Sequence, residues 1–225
     1  MRLLAVFAVA LLWATSAAAS DLSGEVGVVS DYRYRGVSLS DGRAAVQASV
    51  TLERAGLYAT LWSSTLGRRL ADSEIDLTAG YERELAPWIS FDVSATRYFY
   101  PSSPGDGYSE GTAAVSLSRG PATATLAFSY APRQRALRDA AGRRADNGYV
   151  SLEAGYDVPG TSVSLAAGAG YERCTFDEVR RGGKWDWRIG GEIARGAATL
   201  GLSYVGSNAD AGDRHALVGE VHFSW

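Results

Sequence analysis

Residues Glu74–Phe99 read EIDLTAGYERELAPWISFDVSATRYF, and this stretch decides the fold. Ile75, Leu77, Ala79 and Tyr81 alternate with Glu74, Asp76, Thr78 and Glu82. After a tight break at Glu84 to Pro87, Ile89, Phe91, Val93, Ala95 and Phe99 alternate with Ser90, Asp92, Ser94, Thr96 and Tyr98. Side chains on a β-strand point to opposite faces with a period of two, so each segment has one apolar and one polar face. Two such segments joined by a short turn form a hairpin. One hairpin is compatible with a soluble sandwich as well as with a membrane barrel.

The pattern recurs on both sides of this hairpin. Upstream, Leu22, Gly24, Val26, Val28, Tyr32 and Tyr34 share one face and Ser23, Glu25, Asp31, Arg33 and Arg35 the other. Segments led by Val46 and Leu57 follow. Downstream come segments led by Ala113, Ala124, Val150, Val163, Trp185, Leu200 and Leu217, which brings the count to twelve strands. The connections alternate in length. Tight turns lie at Arg54-Ala55-Gly56, Glu84 to Pro87, Gly120-Pro121, Pro159-Gly160 and Arg195-Gly196; longer loops run over Gly36 to Arg43, Leu66 to Ser73, Pro101 to Gly107, Ala131 to Asn147, Arg173 to Lys184 and Gly206 to Asp213. Sorted loops are a property of outer-membrane barrels, which have short periplasmic turns and long outer loops. Aromatics on the apolar faces gather at the strand ends: Tyr32, Tyr34, Phe99, Tyr130, Tyr171, Trp185, Trp187 and Tyr204 near the long loops, and Tyr81, Tyr156, Phe223 and Trp225 near the turns. Aromatic belts mark the levels where hydrocarbon meets headgroups. The expected fold is an all-β, transmembrane antiparallel barrel of about twelve strands, because only a lipid solvent requires all three patterns together.

The chain has 225 residues, 46% hydrophobic and 21% charged. This excludes a disordered chain and a disulfide scaffold. Arg2, the apolar run Leu3 to Trp13 and Ala17-Ala18-Ala19 have the order of a cleaved secretory leader, so residues 1–19 are expected to be a signal peptide and 20–225 a single barrel domain. Net charge is −3, one unit more negative once Arg2 is removed, which gives no support to nucleic-acid binding. Cys174 is the only cysteine and cannot form an internal disulfide, and no Cys/His cluster or cofactor motif is present.

Several blocks resemble a known family. Ser30-Asp31-Tyr32-Arg33-Tyr34-Arg35-Gly36-Val37-Ser38-Leu39-Ser40-Asp41-Gly42 resembles the opening signature of the TorF-type putative porins, and Gly56 to Ser64, Glu74 to Tyr81 and Tyr98 to Pro101 are similar to later blocks of that family. Thr60 stands where glycine is expected in the second block. The resemblance covers the first half of the chain beyond the leader. It implies an outer-membrane barrel of a Gram-negative bacterium with a porin or transport role, and no catalytic residues.

Inward parity assigns Glu25, Asp31, Arg33, Arg35, Glu74, Asp76, Asp92, Glu110, Glu153, Asp186, Arg188, Glu192 and Glu220 to the lumen, with Glu53, Glu82, Asp157, Arg43 and Arg214 on the same face. Acids outnumber bases. In a wet lumen they favour cations; alternatively the charges pair across strands and fill the interior, since twelve strands lie between filled eight-stranded barrels and open porins. Arg133, Arg135, Arg138, Arg143 and Arg144 crowd the longest loop, where forked guanidiniums suit lipopolysaccharide phosphates, recruit an anionic solute, or are solvated. A narrow, cation-preferring channel for small solutes is the expected function. The alternatives are a structural or adhesive barrel and a lipid-modifying enzyme. For the enzyme, His222 and Ser224 share a face but point into the lumen, and no serine follows His215 on its strand.

Overall fold

The computed structural model describes residues 21–67, 71–139, 142–174, 183–209 and 214–225, with the backbone alone at Cys174. The expected leader, residues 1–19, and the side chain of Cys174 lie outside the described residues.

Twelve antiparallel strands close into a barrel. They are β1 (Asp21–Val29), β4 (Ala45–Arg54), β5 (Leu57–Thr65), β6 (Ser73–Ala86), β7 (Ile89–Phe99), β8 (Ser109–Arg119), β9 (Ala122–Ala131), β10 (Asn147–Asp157), β11 (Val163–Cys174), β12 (Lys184–Arg195), β13 (Ala198–Ser207) and β14 (His215–Ser224). Sequence neighbours pair throughout, and β1 closes the ring on β14 with Val26 opposite Phe223. Closure removes both sheet edges, so every strand finds two partners inside the sheet. The five tight turns lie at one rim and the longer loops at the other, as the spacing predicts.

The fold is inside out relative to a soluble protein. Leu61, Leu77, Phe128, Leu152, Ile189, Leu202 and Leu217 are exposed on the outer face. Phe99, Tyr130, Trp185 and Tyr204 are exposed at the loop end, and Tyr81, Trp88, Tyr156, Phe223 and Trp225 at the turn end. An apolar band between two aromatic levels is the outer surface of a barrel solvated by lipid. Trp88 belongs to the turn-end level although it sits in a turn, outside the alternating runs.

One element departs from the alternation. β1 ends at Val29, and the chain then leaves the wall to form a two-stranded hairpin of its own, β2 (Arg33–Tyr34) and β3 (Val37–Ser38). Tyr32 and Tyr34 therefore do not belong to the outer aromatic belt. Asp31, Arg33 and Arg35 are not wall residues of β1 either. The whole segment is turned into the lumen.

Candidate functional site

The site begins with Asp31. Its carboxylate accepts from Ser38 Oγ at 2.6 Å, Ser40 Oγ at 3.0 Å and Arg33 Nε at 2.6 Å. These bonds fold the first loop onto itself and neutralise Arg33 within it, where both side chains are nearly buried. At the hairpin tip Arg35 has φ 47° and Gly36 φ 80°. Two consecutive residues with positive φ make the tight turn whose twist suits a two-residue hairpin, and a non-glycine residue there is uncommon. Gly36 is also required for space, since a Cβ would overlap Gly206 O and the side chains of Ser207 and Asp186.

Each side chain of the hairpin then meets a different part of the wall. Tyr32 donates to Glu74 at 3.0 Å and packs on Trp62 with ring centroids 5.4 Å apart. Tyr34 Oη lies 3.1 Å from Tyr98 Oη. Arg35 donates from Nη2 to Glu110 and from Nη1 to Glu172, each at 2.6 Å. Its guanidinium carbon stands 4.1 Å from the Tyr149 ring centroid and 4.8 Å from that of Tyr34. Burial works against the charge on Arg35, but the oxygens of Tyr34, Glu110 and Glu172 outweigh it and hold the group above its ordinary pKa.

The wall around Arg35 is organised by its own bonds. Asn147 Nδ2 donates to Glu172 at 2.9 Å and Lys184 Nζ lies 2.6 Å from Glu172 Oε2. Tyr149 donates to Asp186 at 3.1 Å. The Tyr149 phenol occupies the space over Gly170, where a Cβ would overlap it. Glu172 and Lys184 are absent from the inward set read off the sequence. Glu172 follows outward Tyr171, so parity marks it, but the expected loop boundary at Arg173 hides its partner Lys184. The only lysine of the chain is the first residue of β12, buried at the loop end of the lumen.

A second layer packs at the loop end. Leu137, 1% exposed, enters from the longest loop and packs with Tyr98, Tyr108 and Ala131, while Tyr98 and Tyr108 stack with centroids 4.4 Å apart. Gln134 pins the same loop through two bonds to the backbone of Ser109. Arg133, Arg135, Arg138, Arg143 and Arg144 of this loop are all exposed. Arg143 pairs with Asp139 at 2.8 Å and Arg138 donates to Gly142 O.

Below the hairpin the lumen is different. A cavity of about 550 Å³ has the hairpin as its roof and reaches Glu153, Arg188 and Glu220. A second space of about 190 Å³ extends toward the turns past Arg188 and Glu192. Glu153 lies along Gly168, Asp92 accepts from Tyr58 at 2.8 Å, and His222 stands 3.1 Å from Glu25 and 3.4 Å from Glu220. Ser224 donates to Glu25 rather than to His222. Hydroxyl pairs line much of the remaining wall: Thr51–Thr60, Thr78–Thr96, Thr112–Ser129 and Ser116–Thr125.

Glu74 and Asp76 lie on the lumen side of β6. Glu74 is 2% exposed and accepts from both Tyr32 and Tyr100, whereas Asp76 Oδ1 has no hydrogen-bond partner. Three inward assignments at the turn end, Glu53, Glu82 and Asp157, are exposed. Two assignments are corrected. Arg43 reaches out of the first loop with its side chain 60% exposed beside Asp41, and Arg214, the residue before β14, is exposed; both lie outside the wall strands, so strand parity does not apply. His215 lies on the outer face, stacked on Tyr204 and tilted against Trp187. Among the described residues no group of three or more His, Cys, Asp or Glu side chains is disposed to hold a metal ion.

A family model described as "bacterial protein of unknown function (Gcw_chp)" matches residues 13–220. The chain belongs to this family. No curated protein sequence matches the chain. Among solved structures, the NanC porin superposes with a TM-score of 0.64 at 11% identity, covering 90% of this chain and 99% of that one. The KdgM porin gives the same TM-score at 6% identity over the same shares of the two chains. An outer-membrane channel from Pseudomonas putida F1 gives 0.57 at 11% identity, covering 93% and 96%. At these identities the likeness is one of fold. The Gcw_chp chain shares the porin-type twelve-stranded architecture and fills its loop end with its own first loop.

Proposed function

We propose that the protein is an outer-membrane, porin-like channel for passive passage of small solutes or ions in a Gram-negative bacterium, narrow and cation-preferring, reached through a leader cleaved before Ser20. One observation carries the reading. In the lower lumen Glu25, Asp92, Glu153, Glu192 and Glu220 accompany Arg188 and His222, so acids dominate the path below the hairpin. Carboxylates around a narrow aqueous path raise the local cation concentration. The KdgM porin has a structure in complex with oligogalacturonate; an acidic lumen such as this one repels a polyanion, so the solute here differs in sign. No catalytic step and no cofactor enter the proposal. The resemblance of Ser30 to Gly42 to the TorF-type putative porins supports the same role.

The test is the reversal potential of the refolded protein in a planar bilayer under a KCl gradient. Cation preference is expected, reduced in the Glu153→Gln/Glu220→Gln variant, and anion preference overturns the selectivity. A second role is favoured by the five exposed arginines of the longest loop: they clamp phosphates of lipopolysaccharide at the outer surface. Replacing all five with glutamine is expected to weaken lipopolysaccharide binding and leave the reversal potential unchanged.

A further inference from the structure

The seat of Arg35 is built by the wall, and the hairpin only fills it. Glu110 comes from β8, Tyr149 from β10 and Glu172 from β11. Glu172 is held by Asn147 and Lys184, and Tyr149 by Asp186 and the space over Gly170. None of these supports belongs to the hairpin. Glu110, Glu172, Asp186 and Lys184 are each at most 9% exposed with Arg35 in place, and without it the wall would hold three acids against one base. Even with Arg35 in place, Glu110 Oε2 and Asp186 Oδ2 accept no hydrogen bond. A flat aromatic face beneath two carboxylates that take one N–H each is a receptor for a planar cation, with the charge-assisted bonds supplying direction and the ring supplying a cation–π contact. The cavity below the hairpin is lined by Tyr149, Glu110 and Asp186 as well as by Arg35, so the seat opens onto the lumen.

The occupant, in turn, sits at the tip of a short hairpin that the Asp31 bonds and the Arg33 bond to Gly36 O fold together. The hairpin pairs only Arg33 with Ser38 and Tyr34 with Val37, and Arg35 sits in the left-handed region that a non-glycine residue rarely adopts. Backbone bonds tie the two ends of this segment, Ser30 N to Gly219 O and Gly67 N to Leu39 O, and between them the hairpin meets the wall through side chains.

We propose that the loop-end wall of the lumen is a binding site for a solute bearing a guanidinium group, and that Arg35 is a tethered mimic of that solute which occupies the site until the solute displaces it. This deepens the cation-channel reading and rests on it for its physiological meaning. A tethered group competes at a high effective concentration, so a free guanidinium binds the wild-type protein weakly and a barrel lacking Arg35 more strongly.

Ethylguanidinium is the probe and ethylurea its neutral isostere, each titrated calorimetrically into the refolded barrel in detergent micelles. Ethylguanidinium is expected to bind the Arg35→Ala variant at least tenfold more tightly than the wild type. Ethylurea is expected to show no such gain, and addition of Glu110→Gln and Glu172→Gln to abolish it. Equal binding to wild type and variant, an equal gain for ethylurea, or a gain that survives the two glutamine substitutions overturns the proposal. Arg35→Gln, which keeps a polar tip, gives the same reading if Arg35→Ala does not refold by the heat-dependent gel shift. Bilayer conductance separates the two claims: a variant that binds ethylguanidinium but passes no potassium current sinks the channel and leaves the site, and one that conducts without binding sinks the site alone.

Discussion

The loop-end third of the lumen and the region below it are lined by the same twelve alternating strands, yet they are physically unlike. At the loop end, Glu74, Glu110, Glu172 and Lys184 are buried, ion-paired or hydrogen-bonded, and packed around tyrosines. Toward the turns, Glu153 is exposed, Glu25 is half-exposed, and the wall is finished with small hydroxyls. The inward face of a barrel strand is thus neither core nor solvent by nature. It becomes one or the other according to whether a loop folds over it. Where the first loop enters, charges lose water and must find partners; where it does not, they stay hydrated and act on whatever passes.

The contrast is broken most forcefully at Glu172. Glu172→Ala leaves Arg35 and Lys184 without the acid they share, and loss of one partner from a buried ion pair costs about 3–5 kcal/mol. Urea unfolding in lipid vesicles is expected to show a loss of that order. Glu153→Ala, in the open region, should change stability by less than about 0.5 kcal/mol. Equal losses at the two positions would mean that the hairpin does not desolvate its wall.

Gly170→Val comes next. Its side chain overlaps the Tyr149 phenol, and overpacking of this kind costs about 1–3 kcal/mol. Gly219→Ala, where a Cβ meets nothing within 4 Å, is the matched control and should be silent in the same unfolding measurement.

A pH titration sharpens the comparison further. Burial and then the nearby carboxylates Glu74 and Asp76 push the Tyr32 phenol well above its ordinary value of 10.0, and burial does the same for Tyr34 despite the opposing charge of Arg35. A group whose pKa is raised on folding stabilises fully below its unfolded value, and that contribution is lost as the pH rises above it. Ionisation of these phenols should therefore weaken hairpin docking above about pH 10. The fluorescence of Trp62, which touches Tyr32, is a local readout; a signal unchanged above that pH would contradict the assignment. The smallest effect is expected at Thr78→Val, which removes one cross-strand hydroxyl pair with Thr96 and should cost about 0.2–1 kcal/mol with no change in the Trp62 signal.

The sequence was legible wherever a residue's role depends on its near neighbours. Alternation puts Glu110, Asp186 and Glu220 on the inner face, and spacing separates the turns from the loops. It misleads at Tyr32 and Tyr34 for a physical reason. A two-residue period describes any extended chain, and Arg33–Tyr34 is extended both as a continuation of β1 and as one arm of the inner hairpin. Only Gly36, placed where a strand gains nothing from glycine, hints at the turn. Lys184 was hidden differently, by a loop boundary set one residue too late.

The sequence alone determined the number of strands, the lipid and lumen faces and the rim that carries the long loops, because each follows from local period and length. Tertiary structure alone decided that the first loop turns inward and which charges it neutralises. Arg35 meets Glu110 and Glu172 across separations of 75 and 137 residues. No local pattern encodes such contacts, which exist only once the barrel closes and brings distant strands around one lumen.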